Sequence, residues 1–177
     1  MSVVAVILAG GTSRRMGEDK ASMYGGVERL QACLNEAGVE RCVVLCGPEK
    51  RKHLFAGEVM ADPPHINGLH RIIAWVRERV QTTVLLVPCD AFLLTPEAVS
   101  ALMTSAPNGG VPLDEQGQRQ PLFAFLPASL LLDQSAENVT TMLESLPSVE
   151  LPEHASAFTN FNRPSDLEHP RLRDRLA

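Results

Sequence analysis

The amino-acid sequence predicts an α/β fold of three layers, with a Rossmann-like, mostly parallel sheet between two sets of helices. Three observations carry this expectation. Short, continuous apolar runs recur along the chain, as strands covered on both faces require. Stretches with a 3.6-residue apolar stripe lie between them. The first run ends at a glycine pair, where a parallel sheet carries its binding loops. With 177 residues, 45% of them hydrophobic, the chain can bury one substantial core and is too short for two comfortable domains. No repeat, low-complexity segment or linker divides it, so residues 1–177 are expected to form a single domain.

Val3 to Leu8 is β-branched and aliphatic throughout and stops at glycine, which suits a strand buried on both sides. Further apolar runs follow at Cys42–Cys46 (CVVLC), Glu58–Ala61 and Val84–Val87 (VLLV), each closed by a polar or Gly/Pro break. Between them, Val27 to Ala37 places Val27, Leu30, Cys33, Leu34 and Ala37 on one helical face, and Gly38 is its expected stop. Leu69 to Val80 repeats the pattern with Leu69, Ile72, Ile73, Val76 and Val80. Thr95-Pro96-Glu97 supplies a cap, a first-turn proline and a first-turn acid for a third helix reaching about Ser105. After Pro107 the expected order is a polar turn at Asp114–Gln118, a strand over Pro121–Leu126, and helical stretches at Ser129–Leu132 and Val139–Leu146. A weak strand at Val149–Leu151 follows, and Asn162-Arg163-Pro164-Ser165 reads as the cap of a last helix broken at Pro170.

Composition narrows the function. A formal net charge of −5 argues against nucleic acid as a partner, because such binders show a basic excess or stripe that neutralises phosphates. The opening MSVVAVILAGG has no charged segment of the secretory kind, and its apolar run is far shorter than the roughly 20 residues that span a bilayer. A cytoplasmic protein without a membrane partner is expected. Four cysteines, Cys33, Cys42, Cys46 and Cys89, avoid CxxC spacing and read as reduced, small apolar residues. Oligomeric state leaves no signature in the residues, and a monomer is the default.

The chemistry concentrates in Leu8-Ala9-Gly10-Gly11-Thr12-Ser13-Arg14-Arg15-Met16-Gly17-Glu18-Asp19-Lys20, directly after the first strand. Gly10 and Gly11 let backbone N–H groups approach phosphate oxygens, which side chains there would obstruct. Arg14, Arg15 and Lys20 bring positive charge beside that backbone. The pattern is neither GxxxxGK[ST] nor GxGxxG. Glycine pairs also occur in ordinary strand-to-helix turns, and it is the added cations that point to a triphosphate. Asp90 emerges at the carboxyl end of the Val84–Val87 strand, toward the same crevice; alone it would read as a capping or turn aspartate, but beside the loop it suits magnesium, a hard cation that takes one or two carboxylates plus phosphates and water. Cys89, its neighbour, is expected to point the other way, as alternate strand residues do.

LAGGTSRRMGEDK resembles the signature loop LAGGxSxRMGxDK of the molybdenum cofactor guanylyltransferases and related nucleotidyltransferases. The resemblance continues in order through Asp62 and Asn67-Gly68-Leu69, Pro88-Cys89-Asp90, Gln120-Pro121-Leu122-Phe123-Ala124 and Asn160-Phe161-Asn162-Arg163-Pro164-Ser165-Asp166-Leu167. It implies a fold of the nucleotide-diphospho-sugar transferase type. It also implies transfer of GMP from GTP to the terminal phosphate of molybdopterin, or of molybdenum-loaded molybdopterin, with Mg2+ required. The nucleotide-binding positions carry over as Leu8, Ala9, Gly10, Gly11, Lys20, Asp62 and Asp90, and the metal ligand as Asp90. Arg15 and Lys20 are then assigned to the triphosphate and, with Asp90, to catalysis. A relative using CTP or a sugar phosphate, or a degenerate nucleotide-binding homologue, shares the same loop.

The departures from the pattern are local. Small residues usual after Gly68 are His70 and Arg71 here, the proline usual two residues after the PCD aspartate is Phe92, and the asparagine usual after the second strand is Gly47. His70 and Arg71 are expected near the crevice, as an obstruction or as a new cation for an acidic ligand, although His70 also suits a solvated helix face or a capping position. His53, His65, His154 and His169 show no metal-ligand spacing, and Trp75, at the edge of its helix's apolar stripe, reads as packing.

Overall fold

The computed structural model describes residues 2–11, 19, 21–161 and 164–172. Its strands are β1 (Val3–Leu8), β2 (Arg41–Leu45), β3 (Glu58–Met60), β4 (Thr83–Pro88), β5 (Val111–Pro112), β6 (Phe125–Leu126) and β7 (Ser148–Val149). Its α-helices are α1 (Gly26–Glu36), α2 (Leu69–Val80), α3 (Pro96–Ser105) and α4 (Val139–Met142). The main sheet has the order β3-β2-β1-β4-β6, parallel except for β6, which runs antiparallel to β4. A small parallel pair, β5 and β7, stands beside it.

Alternation along the strands sorts the core into two layers. Ala5, Ile7 and Ala9 join α1 and α3 on one face, whereas Val4, Val6 and Leu8 join α2 and α4 on the other. This is the three-layer, mostly parallel arrangement expected from the sequence. The chain steps outward from β1 to β2 to β3, then returns to the opposite side of β1 as β4. Connections on either side of that reversal diverge, which opens a crevice at the carboxyl ends of β1 and β4.

Local signals set the helix limits in this half. Gly38 adopts φ 86°, and behind it the Val39 amide donates to the Leu34 carbonyl at 2.9 Å, a closing pattern that a left-handed residue permits. At α3 the Thr95 hydroxyl accepts from the Ala98 amide at 3.2 Å, with Pro96 in the first turn. Trp75 is half-buried at the edge of the α2 core, with the Arg79 guanidinium 4.6 Å from its ring centre.

Beyond residue 107 several expected elements shrink or vanish. Of Pro121–Leu126 only Phe125–Leu126 is strand, because Pro121–Phe123 forms a 3-10 turn whose Phe123 amide donates to the Gln120 carbonyl at 2.9 Å. Ser129–Leu132 is not helical. Arg77 from α2 donates to the carbonyls of Pro127 (2.6 Å) and Ala128 (2.8 Å), fixing the segment as an irregular arm, and Leu131 stands 91% exposed. The helix expected over Val139–Leu146 is one turn, since Arg119 takes the carbonyls of Leu143 and Leu146 and Pro147 follows. The weak strand lies at Ser148–Val149 rather than Val149–Leu151. Pro164–Glu168 forms a 3-10 turn and residues 170–172 are helical after the break, while the expected cap residues Asn162 and Arg163 lie outside the described residues. Among the described residues no helix is long and apolar enough to cross a membrane.

Candidate active site

The crevice at the strand reversal holds a cavity of about 390 Å³, within the range of roughly 300–1,000 Å³ usual for small-molecule sites. The end of β1 contributes Leu8, Gly10 and Gly11, the exit of β3 contributes Asp62, and the exit of β4 contributes Pro88, Cys89 and Asp90. Leu69 and Ile72 from α2 give it an apolar wall, which Leu45, Leu122 and Asn160 complete. A larger hollow of about 710 Å³ lies between the C-terminal turn of α2 and the 128–134 arm. It reaches Gln81 and Thr82, at the amino end of β4, and so misses the strand carboxyl ends where ligands of such sheets bind.

Gly10 and Gly47 are glycines because β1 and β2 converge there. A Cβ on Gly10 would stand 2.9 Å from the Gly47 Cα, and one on Gly47 would stand 2.8 Å from both the Cα and the carbonyl oxygen of Gly10. Gly47 also adopts φ 77°, which a side chain disfavours. The asparagine usual at this position in the resembled family therefore has no room here. Gly11 faces open space at the cavity, with nothing within 4 Å of a would-be Cβ.

Leu8 and Ala9 are tied down by backbone bonds. The Leu8 carbonyl accepts from the Cys89 amide at 3.2 Å, and the Ala9 amide donates to the Leu45 carbonyl at 2.8 Å. The Ala9 side chain is buried in the α1/α3 core, so Ala9 borders the loop without lining the cavity.

Asp62 follows β3, and its amide donates to the Gly47 carbonyl at 2.8 Å. Its Oδ1 is buried without a hydrogen-bond partner. Burial pushes the Asp62 pKa up from the ordinary carboxylate range, and the Gly47 amide offsets part of that rise. An unsatisfied buried acceptor of this kind is costly unless something donates to it or coordinates it. The proline pair after Asp62 opens a turn in which the Ile66 amide donates to the Pro63 carbonyl at 3.0 Å.

Asp90 is 6% exposed and sits in the turn after β4, where its carbonyl accepts from the Phe92 amide at 2.8 Å. Two side chains hold that turn from outside. Arg29 of α1 donates to the carbonyls of Ala91 (2.6 Å) and Leu94 (3.3 Å). Phe92 is buried with its ring centre 4.9 Å from Tyr24 and 5.2 Å from Phe161. In place of the expected proline, an aromatic anchor fixes the approach to Asp90. Because residues 89 and 90 form a turn instead of continuing the strand, Cys89 does not point away, and both line the cavity.

Arg14, Arg15 and Lys20, expected to meet the triphosphate, lie outside the described residues. His70 is half-buried with its ring against Gly68, and Arg71 is exposed. Neither lines the cavity, which Leu69 and Ile72 reach instead, so the large polar pair leaves the crevice open. Gln120 is engaged elsewhere, donating to Asp114 at 2.6 Å. Sequence reasoning assigned no role to Leu69, Ile72, Leu122 or Asn160 as cavity lining, nor to Arg51. The last two had a signal available, since Asn160 opens the Asn160–Leu167 motif and Arg51 is a cation placed shortly after a strand end.

Comparison with known proteins agrees with this geometry. The family model described as MobA-like NTP transferase domain matches residues 5–145. The molybdenum cofactor guanylyltransferase of Xanthomonas euvesicatoria pv. vesicatoria (strain 85-10) is 32% identical over 142 residues, covering 78% of this chain and 69% of that protein. The molybdenum cofactor guanylyltransferase of Rhizobium meliloti (strain 1021) is 30% identical over a 210-residue alignment, covering 97% of this chain and 94% of that protein. The crystal structure of molybdopterin-guanine dinucleotide biosynthesis protein A from Archaeoglobus fulgidus has the same fold, with a TM-score of 0.71 over 98% of each chain at 20% identity. The chain belongs to the MobA-like NTP transferase domain family and is a nucleotidyltransferase.

Proposed function

We propose that this protein transfers GMP from GTP to the terminal phosphate of molybdopterin, with Mg2+ as cofactor and pyrophosphate as the second product. The observation that carries the reading is the unpartnered, buried Oδ1 of Asp62 in one cavity with Asp90, Gly10 and Gly11. The names of the relatives support the guanine nucleotide and the molybdopterin acceptor.

The donor set suits magnesium. Among the described residues no cluster of three or more His, Cys, Asp or Glu forms a complete protein cage. Two carboxylates on one cavity are what Mg2+ takes when substrate oxygens and water fill its other positions. Asp90 would hold it, with Asp62 as the second carboxylate on the cavity. Bound there, the ion supplies neutralisation of the phosphate charge.

The chain's own residues bind and orient. Gly10 and Gly11 admit the phosphates close to backbone N–H groups, and Arg15 and Lys20 add cations to the triphosphate. An oxygen of the acceptor phosphate forms a bond to the α-phosphorus of GTP, and the bond from that phosphorus to the α,β-bridging oxygen breaks. The electron pair leaves with pyrophosphate. The attacking oxygen is already anionic, so no general base is needed, and positioning with charge stabilisation supplies the catalysis.

The test is a thermal-stability screen with GTP, CTP, ATP and UTP, each with and without Mg2+, followed by a transfer assay with molybdopterin. A ligand at about 100 times its Kd stabilises the native state by about 2.7 kcal/mol. GTP with Mg2+ is expected to give the largest shift. Equal shifts for all four nucleotides, or the largest for CTP, would overturn the guanylyl assignment.

A further inference from the structure

Arg51 lies on the 3-10 turn Glu49–Leu54 between β2 and β3, and it does not line the cavity. Its guanidinium nonetheless makes three separate connections around the site. Nε donates to the Cys46 carbonyl at the end of β2 (3.0 Å), and Nη2 donates to the Ala9 carbonyl at the end of β1 (3.0 Å). Nη1 stands 2.7 Å from Asp19 Oδ2. The Arg51 side chain is 14% exposed, and the Phe55 ring lies beneath it with its centre 5.7 Å from Cζ.

We infer that Arg51 is a positioning residue for nucleotide binding, a planar clamp that fixes both ends of the glycine loop. Ala9 and Asp19 bracket residues 10–18 in sequence, so one side chain holds the residues on both sides of that stretch. Asp19 is itself held firmly. Its Oδ1 accepts from the Ala21 amide at 3.1 Å, and its carbonyl accepts from the Ser22 amide (3.0 Å) and hydroxyl (2.8 Å). Arg51 also neutralises the Asp19 carboxylate, which would otherwise repel a triphosphate bound at the adjoining glycines. Three divergent N–H donors in one plane are a property of guanidinium, and a lysine ammonium at the end of a flexible stem cannot reproduce them. This inference rests on the reading of the glycine loop as a triphosphate site.

Arg51→Met and Arg51→Lys test it against wild type, with calorimetric titration of GTP·Mg2+ and of GMP, thermal melts, and hydrogen exchange of the peptide spanning 9–21. Arg51→Met is expected to weaken GTP·Mg2+ binding by roughly tenfold, as loss of charged hydrogen bonds implies. GMP should lose less, exchange should quicken in 9–21 ahead of the rest of the chain, and Arg51→Lys should recover part of the loss. Should Arg51→Met melt below the assay temperature, Arg51→Lys carries the test with the same GTP-over-GMP pattern. Equal losses for GTP and GMP with faster exchange throughout would make Arg51 merely structural and overturn the inference. Variants that bind GTP as tightly as a wild type that binds it overturn the Arg51 assignment alone. A wild type that binds no triphosphate overturns the transferase reading as well.

Discussion

Replacing Gly10 by alanine perturbs the narrowest point of the site. The new Cβ would stand 2.9 Å from the Gly47 Cα, 3.0 Å from the Gly47 nitrogen and 3.3 Å from Asp62 Oδ2. Carbon–carbon contact is most favourable at about 3.5–4.0 Å, and the closest neighbours are backbone just beyond two strands paired in register from Val4–Arg41 to Leu8–Leu45. No rotamer change relieves the overlap, so the strand ends must separate. Overpacking of this kind costs about 1–3 kcal/mol, and at this chain length each kcal/mol lowers the melting temperature by about 2–4 °C, giving a fall of about 2–12 °C. Gly47→Ala meets the Gly10 Cα and carbonyl oxygen at 2.8 Å and adds a side chain at φ 77°. It should therefore destabilise by about 1 kcal/mol more than Gly10→Ala. Gly11→Ala is the internal control. With open space around its Cβ it should melt at or slightly above wild type, because alanine restricts the unfolded chain. Its methyl would nonetheless project beside the cavity and weaken GTP binding. Thermal melts of the three variants, with and without GTP·Mg2+, check the set. A Gly10→Ala protein that melts with wild type, or a Gly11→Ala protein that falls as far as Gly10→Ala, refutes the steric reasoning.

Asp62 gives a pH signature. Its raised folded pKa means the native state holds the proton more tightly than the unfolded chain, so this group's contribution to stability is lost as pH rises through the unfolded and then the folded pKa. Asp62→Asn should remove that loss and be the more stable protein above the window, at the expense of nucleotide binding. Denaturant melts across pH check it, and a gap between the two proteins that does not grow with pH refutes it. Asp90→Asn keeps shape while removing an anionic ligand, so Mg2+-dependent transfer should largely disappear from a protein that melts near wild type; wild-type turnover would sink the assignment. Lys20→Ala should weaken GTP more than GMP in titrations, since the lysine acts as a point charge on the phosphate chain. Equal losses would count against it.

By itself the sequence determined the elements whose signals are local. Val3–Leu8 and Leu69–Val80 have the limits that pattern alone assigns, and Thr95-Pro96-Glu97 opens α3 as its residues require. It also located the candidate site, because a glycine pair shortly after the first strand, and an aspartate shortly after another, lie at strand carboxyl ends. The segments after Pro107 escaped that reading, since arginines from elsewhere decide them: Arg77 holds the carbonyls of residues 127 and 128, and Arg119 ends α4. Tertiary structure alone decided the crevice wall and its supports. It brought Gly47 so close to Gly10 that neither tolerates a side chain, turned Cys89 into the cavity, left His70 and Arg71 outside it, and set Phe92 against Tyr24 and Phe161. Arg51 reaches Ala9 across 42 positions of sequence. The physical reason is range: periodicity and capping act within a turn or two of chain, whereas steric fit and buried hydrogen bonds depend on which strands become neighbours, and that is known only once the sheet has formed.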